Sequence, residues 1–130
     1  MISLRIAAAA LLLAAPLINL DYAQAAQTVE VDLDSYSFTP KTLHLKRGEA
    51  YTLHFVNKSS KGHNFDAPQF FGALTIAADD QRKVEDGKVE VPSGQSVDVK
   101  VTANTAGTYK VKCSHFMHST FGMTGDAVIE

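Results

Sequence analysis

Hydrophobic and polar residues alternate along most of the chain after residue 26, with a period of two rather than the 3.6 of a helix. The alternation is clear over residues 28–33, and residues 51–56 are rich in the aromatic and β-branched side chains that favour strands. The other alternating segments are residues 36–38, 43–45, 88–91, 97–101, 108–111 and 127–129. Turn-forming glycine, proline and asparagine separate them. The pattern predicts seven or eight short strands, and therefore an all-β sandwich of the Greek-key type.

Residues 68–84 interrupt the alternation. The large hydrophobic residues of this segment stand among alanines and are Phe70, Phe71, Leu74 and Ile76. A run of acidic and basic residues begins at Asp79. We expect an irregular excursion with one helical turn, and we expect the charged cluster over residues 79–86 to lie in solvent.

The first 25 residues follow a different pattern. Arg5 precedes an unbroken apolar run over residues 6–13, Pro16 follows it, and small residues lie at Ala23 and Ala25. This order is typical of a secretory signal peptide. We therefore expect residues 1–25 to be removed, with cleavage after Ala25 or Ala26. The mature protein is then one domain over residues 26–130, located in the periplasm of a bacterial cell.

Charge and cysteine content narrow the possible functions. Twelve Lys and Arg against 14 Asp and Glu give a formal net charge of −2, whereas nucleic-acid-binding proteins usually show a clustered basic excess. A single cysteine excludes an internal disulfide framework and a Cys-rich zinc site. In an oxidising compartment the free thiol of Cys113 must be buried, paired with another chain, or bound to something.

Possible metal ligands cluster near the end of the chain. His118 and Met123 follow Cys113, and His63 lies just after a predicted strand, 50 positions before the cysteine. A thiolate, two imidazoles and a weakly bound thioether form a set that selects copper. Zinc prefers four strong ligands, and non-haem iron prefers carboxylates, which residues 113–123 lack. The sequence predicts one copper ion at one end of the sandwich, with three strong ligands and Met123 as the weak one.

The same segment offers two further ligand types, His115 and Met117. His115 follows Cys113 too closely for both to bind one ion from an extended loop, and Met117 directly precedes His118. We therefore favour His118 over His115, Met123 over Met117, and an exposed position for His115. The sequence leaves open whether His115 or Met117 also contacts copper.

The spacing Cys-x4-His-x4-Met-x-Gly, with Gly-His-Asn-Phe upstream, resembles that of the cupredoxins, the small blue copper proteins. The azurin-like and plastocyanin-like bacterial copper-binding proteins are the most similar. The ligands that this resemblance implies are His63, Cys113 and His118, with Met123 axial. It also implies that the Gly62 carbonyl faces the metal and that Asn64 helps to hydrogen-bond the cysteine sulfur. The spacing departs from azurins at the methionine and from plastocyanins at the second histidine.

A site of this kind predicts an electron carrier rather than an enzyme. Its expected partners are redox proteins such as a c-type cytochrome or a copper-containing reductase or oxidase, and we expect a monomer. The alternative is a periplasmic copper carrier or copper-tolerance protein, which the spare His115 and Met117 favour slightly. Residues 114–125 contain no charged side chain but include Phe116, Met117 and Phe121. They predict an apolar surface beside His118.

Overall fold

The alternating segments of the sequence form the strands of two sheets. The computed structural model describes residues 14–15 and 26–130, so the predicted signal peptide lies almost wholly outside the described residues. Within the described residues the strands are β1 (Gln27–Asp34), β2 (Ser37–Thr39), β3 (Thr42–Leu45), β4 (Ala50–Asn57), β5 (His63–Asp66), β6 (Leu74–Ile76), β7 (Lys88–Val91), β8 (Ser96–Ala103), β9 (Gly107–Lys112) and β10 (Thr124–Ile129). None of the helices in this part of the chain is long and apolar enough to cross a bilayer.

Each sheet has five strands. One has the order β2-β1-β4-β8-β6 and the other β3-β10-β9-β5-β7. The pairs β1–β4 and β3–β10 are parallel, and the other pairs are antiparallel. The predicted all-β sandwich is confirmed, with more strands than the alternation indicated. The strands that the sequence did not predict are β5 and β6.

The core lies between the inner faces of the two sheets. On β4 the buried residues Tyr51, Leu53 and Phe55 alternate with partly exposed ones, as a strand with one covered face requires. Phe55 meets Phe65 of the other sheet with ring centroids 4.9 Å apart. Burying one such side chain contributes about 1.5–3 kcal/mol. Phe65 therefore anchors β5, the strand that begins with His63.

The excursion at residues 68–84 contains a short helix, α1 (Pro68–Gly72), then β6, then a 3₁₀ helix over Ala78–Lys83. Phe70 and Phe71 of α1 are buried against Phe65. The expectation that the charged residues lie in solvent is wrong for Asp80, which is 7% exposed. Its carboxylate accepts hydrogen bonds from Lys83 Nζ and from the Lys100 N–H, each at 2.8 Å, and these contacts stabilise the buried charge.

Candidate metal centre

The loop over residues 113–123 joins β9 to β10 at one end of the sandwich. Lys112 and Thr124 are cross-strand partners, so the antiparallel pair closes the loop at its base. The Cys113 N–H donates to the Met123 carbonyl at 3.0 Å, and the Met123 N–H donates to the His118 carbonyl at 3.0 Å. These two bonds fix the backbone of three predicted ligands relative to one another, although the loop has no regular secondary structure.

Three possible donor atoms lie close together at this end of the sandwich, one from β5 and two from the loop. His63 Nδ1 lies 3.1 Å from His118 Nδ1, and Cys113 Sγ lies 3.4 Å from His118 Nδ1 and 3.8 Å from His63 Nδ1. Among the described residues this is the one group of three or more His, Cys, Asp or Glu side chains close enough to hold a metal ion. His63 and Cys113 are 0% exposed and His118 is 9% exposed.

The donor separations fit a trigonal metal site. Bond lengths of about 2.0 Å to nitrogen and about 2.3 Å to sulfur, at about 120°, place two nitrogens about 3.5 Å apart and nitrogen and sulfur about 3.7 Å apart. The observed separations agree with these values to within several tenths of an ångström. Two imidazoles and one thiolate in a trigonal arrangement are the donor set of a blue-copper site.

Burial keeps the two imidazoles available as ligands. It lowers the pKa of His63, and the neighbouring His118 lowers that pKa further. Burial also lowers the pKa of His118, followed by the effect of His115. The lowered pKa values favour the neutral form of both rings, which has a lone pair to give to a metal. Burial raises the pKa of the Cys113 thiol, so metal binding must displace its proton.

Hydrogen bonds orient the donors. Ser35 Oγ lies 3.1 Å from His63 Nε2, which fixes the ring with Nδ1 towards the thiol. The backbone N–H of Asn64 donates to Cys113 Sγ at 3.4 Å. The Asn64 side chain binds Ser114 through its Oδ1, which accepts the Ser114 N–H at 2.8 Å, and through its Nδ2, which donates to Ser114 Oγ at 2.8 Å. Asn64 thus ties β5 to the loop.

The carboxylate of Glu90, on β7, binds one residue of β5 and one residue of the loop. Glu90 Oε1 accepts from Asn64 Nδ2 at 2.7 Å, and Glu90 Oε2 accepts from His115 Nε2 at 2.8 Å. Burial alone would raise the pKa of Glu90, but the hydrogen bonds from Asn64 and His115 more than offset it, so the pKa is lowered. No local sequence pattern marks Glu90 or Ser35 as part of the site. Both are distant from their partners in the sequence, and the pairing of strands and the turns between them bring them to the site.

The remaining predicted residues take different positions. Met123 is 0% exposed, and its backbone binds Cys113 and His118. Met117 is 41% exposed and lies at the surface. The expected exposure of His115 is only partial, since its side chain is 34% exposed and hydrogen-bonded to Glu90. The structure brings His115 beside the donor group without including it in that group.

The loop that carries His118 also carries exposed apolar side chains. Phe116 is 89% exposed and Phe121 is 58% exposed, and with Met117 they form an apolar rim. Tyr36, which the sequence did not indicate, packs its ring 5.0 Å from that of His118 and 5.1 Å from that of Phe121, measured between centroids. The exposed large side chains of the loop are thus apolar, and one cation lies beside them, since Lys61 Nζ donates to Tyr36 Oη at 3.2 Å.

A β-sandwich that carries a buried trigonal His₂Cys donor set at one end defines a small mononuclear copper protein. Residues 4–129 match the family model of the Cupredoxin-like domain, and the chain belongs to this family. Copper is accordingly its cofactor. The chain is 36% identical over 115 residues to the chloroplastic plastocyanin of Chlamydomonas reinhardtii, covering 83% of this chain and 70% of that protein.

Solved structures show the same fold at lower identity. The reduced auracyanin of Roseiflexus castenholzii is 20% identical, with a TM-score of 0.59, and the match covers 82% of this chain and 98% of that one. A multicopper oxidase from Aquifex aeolicus is 14% identical, with a TM-score of 0.63, over 82% of this chain and 30% of the oxidase chain. At these identities the likeness extends to the fold alone.

Proposed function

We propose that the chain is an exported electron carrier that holds one copper ion through His63, Cys113, His118 and the axial Met123. The convergence of three buried donor atoms beneath an exposed apolar rim supports this function most directly. When bound, copper supplies a one-electron couple between Cu(I) and Cu(II). Membership of the cupredoxin-like family and the 36% identity to a plastocyanin support the same role.

The frame around the donors suits rapid one-electron exchange. His63 begins β5, Cys113 follows β9, and the loop between β9 and β10 is tied at its base by backbone hydrogen bonds. Side chains held this way shift little when the charge of the site changes, so little reorganisation accompanies electron transfer. Asn64 adds to this rigidity, because its buried amide joins β5 to Ser114.

The position of the rim indicates where a partner docks. His118 is the most exposed of the three donor residues, so the path from site to surface is shortest there. An apolar surface of three side chains suits the brief encounters of redox proteins, which bury less than about 1,200 Å² in total. We propose that the partner is a redox protein such as a c-type cytochrome or a copper-containing reductase or oxidase, met by a monomer in the periplasm.

The alternative is a copper carrier that delivers or sequesters the ion. Met117 supports it, since an exposed thioether beside the site could receive copper during exchange. His115 gives it less support than its sequence position suggested, because its Nε2 is bound to Glu90.

Two measurements test the proposal. Loading with Cu(II) should give an intense visible thiolate-to-copper band, which reduction removes and which Cys113→Ser abolishes, while His115→Ala retains a coloured site. A band that survives Cys113→Ser would contradict the ligand assignment. Electron self-exchange and Cu(I) loss to a chelator then separate the two functions. Fast exchange with slow loss supports the electron carrier, and slow exchange with rapid loss supports the copper carrier.

A further inference from the structure

His115 is held in place although it is not one of the three donors. Its ring stacks on that of His118, with centroids 5.5 Å apart and planes inclined by 19°. It also lies close to Gly62, where an added Cβ would stand 3.4 Å from His115 Cε1. Its Nε2 donates to Glu90 Oε2 at 2.8 Å. The ring of His115 is thus fixed by packing and by one directional bond to β7.

Glu90 connects the ring of His115 to Asn64 of β5. It stands directly across from Asn64 in the register of β5 and β7. Its second oxygen accepts from Asn64 Nδ2 at 2.7 Å, and the backbone N–H of Asn64 binds the cysteine sulfur. A single carboxylate therefore bridges the strand residue that contacts Cys113 and the loop residue that stacks on His118.

We propose that Glu90 is a positioning residue which, through His115, restrains the His118 ring and slows both the opening of the loop over residues 113–123 and the loss of copper. His118 lies at the middle of the loop, and its backbone is bonded to His115 and Met123, so the part of the residue that needs further restraint is its ring. Movement of its ring away from Cys113 displaces His115, and Glu90 opposes that displacement from a strand. This inference rests on the proposed copper site.

The restraint is moderate because Glu90 is 61% exposed at its side chain. Contacts of exposed carboxylates stabilise weakly, so removing this one should accelerate opening about three- to tenfold rather than by orders of magnitude. His115 and Glu90 share one contact, although Glu90 also binds Asn64 and His115 also stacks on His118. Removing both residues should therefore have less effect than the product of the two single effects.

The experiment compares Glu90→Ala, His115→Ala and the double variant with Glu85→Ala, a matched control at an exposed glutamate nearby. In the apoprotein, hydrogen exchange of the His118 and Met123 amides reports loop opening, because both amides are bonded within the loop. In the copper-loaded protein, the rate of Cu(I) transfer to bathocuproine disulfonate reports copper loss. Glu90→Gln, which keeps an acceptor oxygen, should fall between wild type and Glu90→Ala.

We expect both rates to rise about three- to tenfold in each single variant, and by less than the product of the two single effects in the double variant, with Glu85→Ala at the wild-type rate. Unchanged exchange in Glu90→Ala, or effects that multiply in the double variant, would overturn the proposal. So would a fall in Tm without faster local exchange, which marks a merely structural residue. If wild type forms no visible copper band, the copper site is refuted instead, and the apoprotein exchange still tests the restraint.

Discussion

Replacing Asn64 by alanine isolates the link between the sandwich and the metal loop. Asn64 is 2% exposed. The change removes two hydrogen bonds donated by Nδ2, at 2.8 Å to Ser114 Oγ and 2.7 Å to Glu90 Oε1, and one accepted by Oδ1 from the Ser114 N–H at 2.8 Å. The backbone N–H that donates to Cys113 Sγ is retained. Asn64→Ala should therefore loosen the loop while leaving the sulfur contact in place.

The size of the effect follows from these contacts. A hydrogen bond contributes about 0.5–1.5 kcal/mol net, and the contact with the exposed Glu90 belongs at the lower end of that range. Ser114 is exposed, so water can replace part of what its N–H loses. We expect a loss of about 2–3 kcal/mol in the free energy of unfolding. For a domain of this size the corresponding fall in Tm is about 10–15 °C.

The assay is thermal unfolding of the apoprotein, followed by the visible spectrum after Cu(II) loading. Asn104→Ala is the control, since Asn104 Nδ2 donates to Thr75 Oγ1 at an exposed position away from the site, and a change there should cost less than about 0.5 kcal/mol. Equal losses in the two variants would refute the reasoning about stability. Loss of the visible band in fully loaded Asn64→Ala would show that the side chain, rather than the backbone N–H, secures the sulfur.

Three other changes test separate parts of the molecule. Met123→Leu should keep the visible band and raise the reduction potential, measured by titration, because losing a weak donor disfavours Cu(II) more than Cu(I); an unchanged potential would exclude Met123 as the axial ligand. Phe121→Glu should slow electron self-exchange about tenfold at low salt, as like charges then meet across the rim, with the rate recovering in high salt. Asp80→Asn should lose about 1–3 kcal/mol at neutral pH, measured by urea unfolding. The hydrogen bond from Lys83, followed by that from the Lys100 N–H, lowers the pKa of Asp80. The contribution of Asp80 to the free energy of unfolding is therefore complete above the ordinary aspartate pKa and is lost as the pH falls from there through the lowered pKa of the folded protein. If Asp80→Asn remained less stable than wild type in acid, this reasoning would be contradicted.

The alternation of hydrophobic and polar residues predicted the strands that are buried on one face. It did not predict β5, which is buried on both faces. Residues on β4 alternate between buried and partly exposed, and that alternation is visible in the sequence. On β5 the first three residues, His63, Asn64 and Phe65, are all buried, so no alternation marks them. The short β6 joins its sheet only by pairing with β8, and its three residues alternate over too short a length to distinguish a strand.

The donors could be identified from the sequence, whereas the residues that orient them could not. Cysteine and histidine are uncommon, and their chemistry makes a cluster conspicuous whatever the fold. Ser35 and Glu90 are ordinary surface residue types that reach the site from 28 and 25 positions away in the chain, respectively. Their roles depend on the register of strand pairs, which a sequence pattern of period two does not specify in advance.

The composition of the loop argues for a transient partner rather than a permanent one. Its buried residues, Cys113, His118 and Met123, are the predicted ligands, and the large hydrophobic residues between them are exposed. With Phe116 89%, Phe121 58% and Met117 41% exposed, the rim offers about 400 Å² of apolar surface. A stable interface needs about 800 Å² on each partner, so the rim alone supplies about half of the area that a permanent partner would need. It is large enough to orient an encounter over His118, and an electron carrier must release one partner before it meets the next.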